Sequence, residues 1–168
     1  FDKVFSAWDI LVIAFGAMIG GSPMDVAKAV GVTAKYGGSI TEYEGAHKVP
    51  GKIIPLIAIP TTAGTGSEVT AFSVITDHSR DYKLTVFSYE LFPSYAILDP
   101  ELLTSAPASV AAVCGIDAFI HAEEAYVSTA ASPFSDAMAD DAMKSGNIAV
   151  NPRSSHKRDI AELYHKAI

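Results

Sequence analysis

The sequence predicts an α/β part followed by an all-α part. Up to about Pro100, short β-rich runs alternate with glycine, proline and threonine, whereas from about Pro107 alanine-rich helix formers dominate. The first pattern is typical of βα units around a largely parallel sheet, and the second is typical of packed helices. We therefore expect an α/β domain over residues 1–104 and the start of an all-α domain over residues 105–168.

Short apolar runs between turn-forming residues are the predicted strands of the α/β part. They are Ile10–Phe15, Pro55–Ile59, Phe72–Thr76 and Ala96–Leu98. A further β-rich stretch, Tyr82–Val86, contains Lys83. A helix is predicted after the first strand, beginning with the residues MDVAK at 24–28.

Three alanine-rich segments are the predicted helices of the all-α part: Pro107–Cys114, Ile116–Val127 and Pro133–Lys144. Glycine and proline are the residues that most often end a helix, which places stops at Gly115, at Ser132-Pro133 and at Gly146. The segment after residue 146 is more polar and breaks the helical pattern.

Composition and charge exclude several classes of protein. The chain has 168 residues, of which 49% are hydrophobic and 18% charged, against about 25% charged in an average soluble domain. The longest uncharged apolar stretch, Ile10–Ile19, is about half of the roughly 20 residues that span a bilayer. With a net charge of −7 and no cluster of basic residues, the chain lacks the positive surface that binds the phosphates of a nucleic acid. We expect neither a membrane span nor a nucleic-acid partner.

The single cysteine, Cys114, excludes an internal disulfide framework and fits a reducing compartment, so we expect a cytoplasmic protein. The shortage of charged residues further suggests that apolar surface meets another subunit or a further part of the same protein. The first of these alternatives predicts a homo-oligomer.

The first candidate site follows the predicted strand Ile10–Phe15. The glycine-containing turn Gly16–Pro23 leads directly into a helix, and glycines let backbone N–H groups approach a phosphate near the positive end of the helix dipole. Ser22 is the expected N-cap with Pro23 at the first helical position, and Asp25 fits a capping-box partner. A capped strand-to-helix turn without a ligand explains the pattern equally well.

The second candidate is the loop Ile59–Thr70 (IPTTAGTGSEVT), at the end of a predicted buried strand. Ligands of open α/β folds bind at the carboxyl edge of the sheet, where small hydroxyl groups can bond phosphate, ribose or carboxamide. A polar turn is the alternative. The nucleophile-elbow pattern GxSxG fails because Thr65 and Val69 flank Ser67 at its glycine positions, which argues against a serine hydrolase.

The third candidate is the pair Asp117 and His121, four residues apart in an apolar predicted helix. This spacing puts both side chains on one face, where both can reach one metal ion, and Glu124 falls on the same face. By spacing alone, an Asp–His hydrogen bond is the more common outcome, and two ligands are too few for a complete site.

The fourth candidate, Lys83, is the one basic residue of its β-rich stretch. An exposed strand lysine is the more common interpretation of this pattern.

Taken in order, these segments resemble the iron-containing (group III) alcohol dehydrogenases. The resemblance is carried by Ile59–Asp77, Tyr95–Leu103 and Gly115–Asp136, and it extends from about Asp9 to about Lys144. It implies a Rossmann-like dinucleotide-binding part followed by an all-α metal-binding part, in a dehydroquinate synthase-like architecture. The family also has an N-terminal unit that we expect to be missing ahead of residue 1.

The resemblance assigns roles to particular residues. The implied cofactor-binding residues lie in the glycine turn, in the threonine loop and on the strand of Lys83: Gly20, Gly21, Ser22, Asp25, Thr61, Thr62, Thr65, Thr70 and Lys83. The pair Asp117 and His121 corresponds to two of the metal ligands of the family. No catalytic residue is assigned.

The implied activity is hydride transfer between a short-chain alcohol or aldehyde and NAD or NADP, with Fe²⁺ or Zn²⁺ at the metal site. The alternative is a non-catalytic or truncated relative with a degenerate dinucleotide pocket that serves as a subunit or structural module. Ile19 favours this alternative, because it replaces a glycine of the family's turn and a β-branched residue rarely adopts a positive φ. A relative that acts on glycerol or a sugar-phosphate-like substrate is a third interpretation, against which the threonine loop favours the alcohol branch.

Overall fold

The computed structural model of the chain describes residues 21–143. The predicted strand Ile10–Phe15 and the residues Ile19 and Gly20 lie outside the described residues, as does the segment after Met143. The chain divides between Ala106 and Pro107 into two compact units, which are described separately.

In its described part, residues 21–106, the first unit contains one long helix and five strands. Helix α1 spans Gly21–Tyr36. The strands are β1 (Gly45–Ala46), β2 (Ile57–Ala58), β3 (Phe72–Asp77), β4 (Tyr82–Phe87) and β5 (Tyr95–Ala96). Short 3₁₀ helices connect them at Ile40–Tyr43, Ser67–Val69, Tyr89–Leu91 and Pro100–Leu103.

The strands form two small sheets. In the first sheet, of order β1-β4-β3, β1 runs parallel and β3 antiparallel to β4; in the second, β2 and β5 are parallel. The longest pairing within residues 21–143 is thus the antiparallel β3–β4 hairpin, whereas the sequence predicts a largely parallel sheet. The reason is the connection: Asp77 binds the backbone and hydroxyl of Ser79 and the guanidinium of Arg80, closing a turn too short for a parallel crossover.

Helix α1 packs one face against β3 and the core. Its buried residues follow the helical period and are Gly21, Met24, Ala27, Lys28, Ala29, Gly31 and Val32. On the facing hairpin, Ser73 of β3 lies opposite Val86 of β4, and both side chains are fully buried. The apolar cluster beneath them consists of Ala27, Val32, Val49, Ile53, Leu56, Leu84, Val86 and Leu91. This packing fixes the start of α1 relative to the start of β3.

The second unit is helical in its described part. Helix α2 spans Ala108–Val127 and packs against α3, which spans Pro133–Met143. The predicted stop at Gly115 is wrong, because α2 continues through this residue. A glycine costs about 1 kcal/mol relative to alanine within a helix, and Gly115 is buried. Within residues 21–143, none of the helices has the length and hydropathy that a membrane span requires.

Candidate functional site

The N-terminal end of helix α1 lies directly against the threonine loop. A Cβ built on Gly21 would come within 2.5 Å of Thr65 Oγ1 and 2.7 Å of Thr65 Cβ, so only glycine fits at this position. The first turn of a helix has N–H groups without intrahelical partners and carries a partial positive charge. The contact therefore brings an anion-binding helix end and a hydroxyl-rich loop together.

Ser22 and Asp25 differ from the capping roles expected of them. Ser22 is exposed and lies within the helix rather than at its N-cap. The carboxylate of Asp25 instead crosses to the loop and the sheet: Oδ1 accepts from Ser67 Oγ at 2.6 Å and Oδ2 accepts from the backbone N–H of Val74 at 3.1 Å. The backbone oxygen of Asp25 also accepts from Ser73 Oγ at 2.7 Å. Asp25 thus ties α1 to the threonine loop and to β3.

Lys28 completes this network and is missing from the sequence-based candidates. Its side chain is fully buried, and Nζ donates to Ser67 Oγ, Thr70 Oγ1 and the carbonyl oxygens of Thr70 and Phe72 at 2.9–3.2 Å. Asp25 Oδ1 lies 3.8 Å away. A signal for Lys28 is present in the sequence, since Lys28 lies on the apolar face of α1, one turn after Met24.

Burial lowers the pKa of the Lys28 ammonium from 10.5 to about 8, and the negative charges of Asp25 and Glu68 partly oppose this shift. Removal from water disfavours the charged form of a lysine, whereas nearby carboxylates favour it. At neutral pH the group is still predominantly an ammonium.

Two further features of the threonine loop are a left-handed turn at Gly66 and a buried hydroxyl without a hydrogen-bond partner among residues 21–143. Gly66 has a φ of 62°, a left-handed conformation that favours glycine, and its turn leads into the 3₁₀ helix Ser67–Val69. The hydroxyl oxygen of Thr62 is buried and has no hydrogen-bond partner among residues 21–143. Thr61 is half-buried in the same loop.

Lys83 lies apart from this network along the hairpin. It pairs with Thr76, whereas Phe72, which accepts from Lys28, pairs with Phe87 at the other end of the two strands. Four residues of strand correspond to about 13 Å. The side chain of Lys83 is exposed and makes no hydrogen bond or ion pair with residues 21–143.

In the second unit, Asp117 and His121 share one face of α2 as the spacing predicts. Asp117 Oδ1 lies 4.0 Å from His121 Nε2, and the side chains are 42% and 51% exposed. A separation of 4.0 Å is too long for a hydrogen bond, so both groups keep their ligand atoms available. Residues 21–143 contain no group of three potential metal ligands. Within this part of the chain the pair supplies two ligands.

Both arrangements fit the groups that the resemblance implies. The close approach at Gly21, the first-turn N–H groups of α1 and the Thr62 hydroxyl, which has no partner among residues 21–143, suit a dinucleotide. A carboxylate oxygen and an imidazole nitrogen are donors that Fe²⁺ and Zn²⁺ both accept. The dinucleotide-binding residues lie in the first unit and the two metal ligands lie in the second unit, so the fit to each group is judged within one unit.

The chain belongs to the iron-containing alcohol dehydrogenase family. Residues 7–100, more than half of the chain, match the family described as "Iron-containing alcohol dehydrogenase". Residues 111–145 match "Fe-containing alcohol dehydrogenase family, C-terminal". The second match includes Asp117 and His121.

The proteins similar to this chain include dehydrogenases and reductases that are named for different substrates. The chain is 48% identical over 125 residues to the NAD-dependent methanol dehydrogenase of Bacillus methanolicus, covering 74% of this chain and 33% of that protein. It is 40% identical over 171 residues to the sulfoacetaldehyde reductase of Bilophila wadsworthia, covering 99% of this chain and 43% of that protein. The chain thus spans about a third to two-fifths of these relatives.

Solved structures show the same fold. The crystal structure of sulfoacetaldehyde reductase from Bifidobacterium kashiwanohense in complex with NAD⁺ matches with a TM-score of 0.68 and 45% identity, over 73% of this chain and 33% of that one. A 1,3-propanediol oxidoreductase matches with a TM-score of 0.68 and 41% identity, over 71% of this chain and 31% of that one. The predicted fold class, a Rossmann-like part followed by an all-α part, is confirmed.

Proposed function

We propose that this chain provides the dinucleotide-binding residues and two metal ligands of an NAD(P)-dependent, metal-dependent alcohol dehydrogenase. The observation that carries the proposal is the contact between the start of α1 at Gly21 and the threonine loop at Thr65. Residues 1–104 form the cofactor unit and residues 105–168 begin the metal unit. The substrate is a short-chain alcohol or aldehyde, and the protein assembles as a homo-oligomer.

In the cofactor unit, each element has a separate task. The first-turn N–H groups of α1, which begins at Gly21, bind the pyrophosphate together with Gly20 and Ser22. The hydroxyls of the threonine loop bond the ribose and carboxamide, and Asp25 holds this loop against the helix through Ser67. Lys83 is assigned to the ribose region by resemblance.

In the metal unit, Asp117 and His121 hold Fe²⁺, or Zn²⁺ in its place, and NAD or NADP occupies the cofactor unit. When bound, the metal supplies Lewis acidity for a substrate oxygen, and the nicotinamide supplies the hydride acceptor or donor. The contribution of the chain is to position both groups.

Calorimetric titration of NAD⁺ into the full chain tests the cofactor site. We expect saturable binding that ADP displaces and nicotinamide alone does not, because the helix end recognises the diphosphate. No heat of binding from NAD⁺ in a sample shown to be folded by circular dichroism would contradict the proposal.

Metal analysis tests the second unit. We expect Asp117→Ala and His121→Ala each to weaken Fe²⁺ or Zn²⁺ binding at least about tenfold in equilibrium dialysis, because each removes one of two paired ligands. Glu123→Gln is the matched control, since it removes a charge from a different face of the same helix and leaves binding unchanged. Equal metal uptake by all the variants would exclude this pair as ligands.

A further inference from the structure

The buried ammonium of Lys28 determines the direction of the hydrogen bonds around it. Lys28 is the one charged residue among the buried polar side chains of residues 21–143. It lies beneath the threonine loop, between α1 and the start of β3. An ammonium has three N–H donors and no acceptor. Every oxygen bonded to Nζ must therefore accept.

Four oxygens face these three donors. The carbonyl oxygens of Thr70 and Phe72 lie at 2.9 Å, and the hydroxyl oxygens of Thr70 and Ser67 lie at 3.1 and 3.2 Å. At least one N–H is therefore shared between two oxygens. The two carbonyl oxygens can only accept hydrogen bonds, whereas the two hydroxyls can also donate. The charge state of Lys28 thus decides what the two hydroxyl protons can do.

The hydroxyl of Ser67 has both of its roles filled inside the protein. It accepts from Lys28 and donates to Asp25 Oδ1 at 2.6 Å. The other oxygen of that carboxylate accepts from the backbone N–H of Val74. Ser67 therefore has no proton left for a ligand.

The hydroxyl of Thr70 is different, because its proton has no internal acceptor. Thr70 Oγ1 accepts from Lys28, so its own O–H must be directed away from Nζ. No hydrogen bond donated by this hydroxyl is present among residues 21–143. Thr70 is only half-buried and lies in the loop that contacts the start of α1. The result is a hydrogen-bond donor that faces out of the network.

We propose that Lys28 is a positioning residue that holds the Thr70 hydroxyl as an outward hydrogen-bond donor for an acceptor oxygen of a bound dinucleotide. The identity of the ligand rests on the proposed function, whereas the direction of the Thr70 hydroxyl rests on the contacts of Lys28 alone. The acceptor is a ribose, phosphate or carboxamide oxygen.

The proposal has a pH dependence whose sign follows from the geometry. The charged groups that face Nζ are Asp25 from α1 and Glu68 from the 3₁₀ helix, and burial lowers the pKa of Lys28 to about 8. Above this pH the neutral amine keeps its N–H groups on the two carbonyls and offers a lone pair. The Thr70 hydroxyl then turns inward to donate to Nζ, and the ligand loses its donor.

Calorimetric titration of NAD⁺ into the full chain between pH 6.5 and 9.5 tests this mechanism, because NAD⁺ itself has no ionisation in this range. For the unmodified chain we expect affinity to fall about tenfold between pH 7 and pH 9, in proportion to the charged fraction of Lys28. For Thr70→Val we expect about tenfold weaker binding at pH 7 and no dependence on pH. Lys28→Met should behave like Thr70→Val, whereas Thr70→Ser keeps the hydroxyl and should retain the pH profile.

Lys35→Met is the matched control, because Lys35 is an exposed lysine of the same helix that donates to the carbonyl of Lys52. It should bind NAD⁺ with the affinity and pH profile of the unmodified chain. An unchanged pH profile in Thr70→Val, or an unmodified chain whose affinity is constant from pH 7 to pH 9, would overturn the proposal. The pH profiles of Thr70→Val and of the unmodified chain test the proposal even if Lys28→Met does not fold.

A ligand-free measurement separates this proposal from the proposed function. In ¹³C NMR spectra of the chain alone, the Cβ signal of Thr70 should shift with an apparent pKa near 8 as its hydroxyl reverses. A Thr70 signal that stays constant while the Lys28 side chain titrates would overturn the positioning role. If the Thr70 signal titrates but the chain does not bind NAD⁺, the proposed cofactor is refuted, whereas the effect of Lys28 on the direction of the Thr70 hydroxyl stands.

Discussion

Replacing Gly21 with alanine is expected to weaken NAD⁺ binding by ten- to hundredfold. The new Cβ would lie 2.5–2.7 Å from three side-chain atoms of Thr65, and the Cβ of a β-branched residue moves only with its backbone. Overpacking of this kind costs about 1–3 kcal/mol. The strain is relieved when the loop moves away from α1 and returns when the site closes around NAD⁺, and about 1.4–2.7 kcal/mol of it corresponds to a ten- to hundredfold loss of affinity. Calorimetry with NAD⁺ measures the loss.

The same contact provides the control for this substitution. Thr65→Gly removes all three of the crowded atoms, so Gly21→Ala should cost little when it is added to Thr65→Gly. Thr65→Gly alone is expected to weaken binding through the lost hydroxyl. If Gly21→Ala weakens binding equally in both backgrounds, the close approach of α1 to the loop is not the reason.

Between pH 8 and pH 10.5, the free energy of unfolding of the unmodified chain is expected to rise by about 3 kcal/mol relative to that of the Lys28→Met variant. The pKa of Lys28 is about 8 in the folded chain and 10.5 in the unfolded chain, so within this range the unfolded state binds the extra proton. The free energy of unfolding therefore rises with pH. A shift of this size corresponds to about 3 kcal/mol.

At neutral pH two effects of Lys28→Met on stability oppose each other. Methionine avoids the burial of a charge, but it leaves the carbonyls of Thr70 and Phe72 without a donor at about 1–3 kcal/mol each. Urea unfolding of both proteins from pH 7 to pH 10.5 measures the difference, in which the ionisations common to both cancel. Lys35→Met serves as the control for removing an exposed lysine from the same helix. A constant difference for Lys28→Met would show that Lys28 titrates as it does in water.

The sequence located the elements of the site but not the contacts between them. The helix start near Gly21, the loop Ile59–Thr70 and the i,i+4 pair of Asp117 and His121 were all predicted, because each is a local pattern. Asp25 was interpreted from its spacing as a capping-box partner, since that contact is also local, and by resemblance as a cofactor-binding residue. Its actual partners, Ser67 and Val74, are 42 and 49 residues away, and sequence spacing does not predict which distant loop reaches a helix.

The two lysines illustrate the same limit. Lys83 was selected because its strand has no other basic residue, and the structure places it exposed at the far end of the hairpin. Lys28 was overlooked although the apolar period of α1 puts it on the buried face. A lysine on such a face must find several acceptors or lose its charge. That rule could have identified Lys28 as a residue with buried partners, although not which partners they are.

One fold prediction, the helix end at Gly115, was wrong, and the largely parallel sheet holds for two of the three strand pairings within residues 21–143. Gly115 was expected to end a helix, yet a cost of about 1 kcal/mol is small beside the packing of a helix as long as Ala108–Val127. The parallel sheet was inferred from alternating strands and loops. The short turn between Asp77 and Tyr82 instead permits only an antiparallel pair.

The central claim is that the start of α1 and the threonine loop together bind a dinucleotide. Two-dimensional ¹H–¹⁵N NMR of the full chain during addition of NAD⁺ tests it most directly. We expect the largest saturable changes at the backbone amides of Gly21, Ser22, Thr65 and Thr70. Spectra in which these amides stay unchanged at excess NAD⁺, or in which changes are confined to residues 108–143, would contradict the claim.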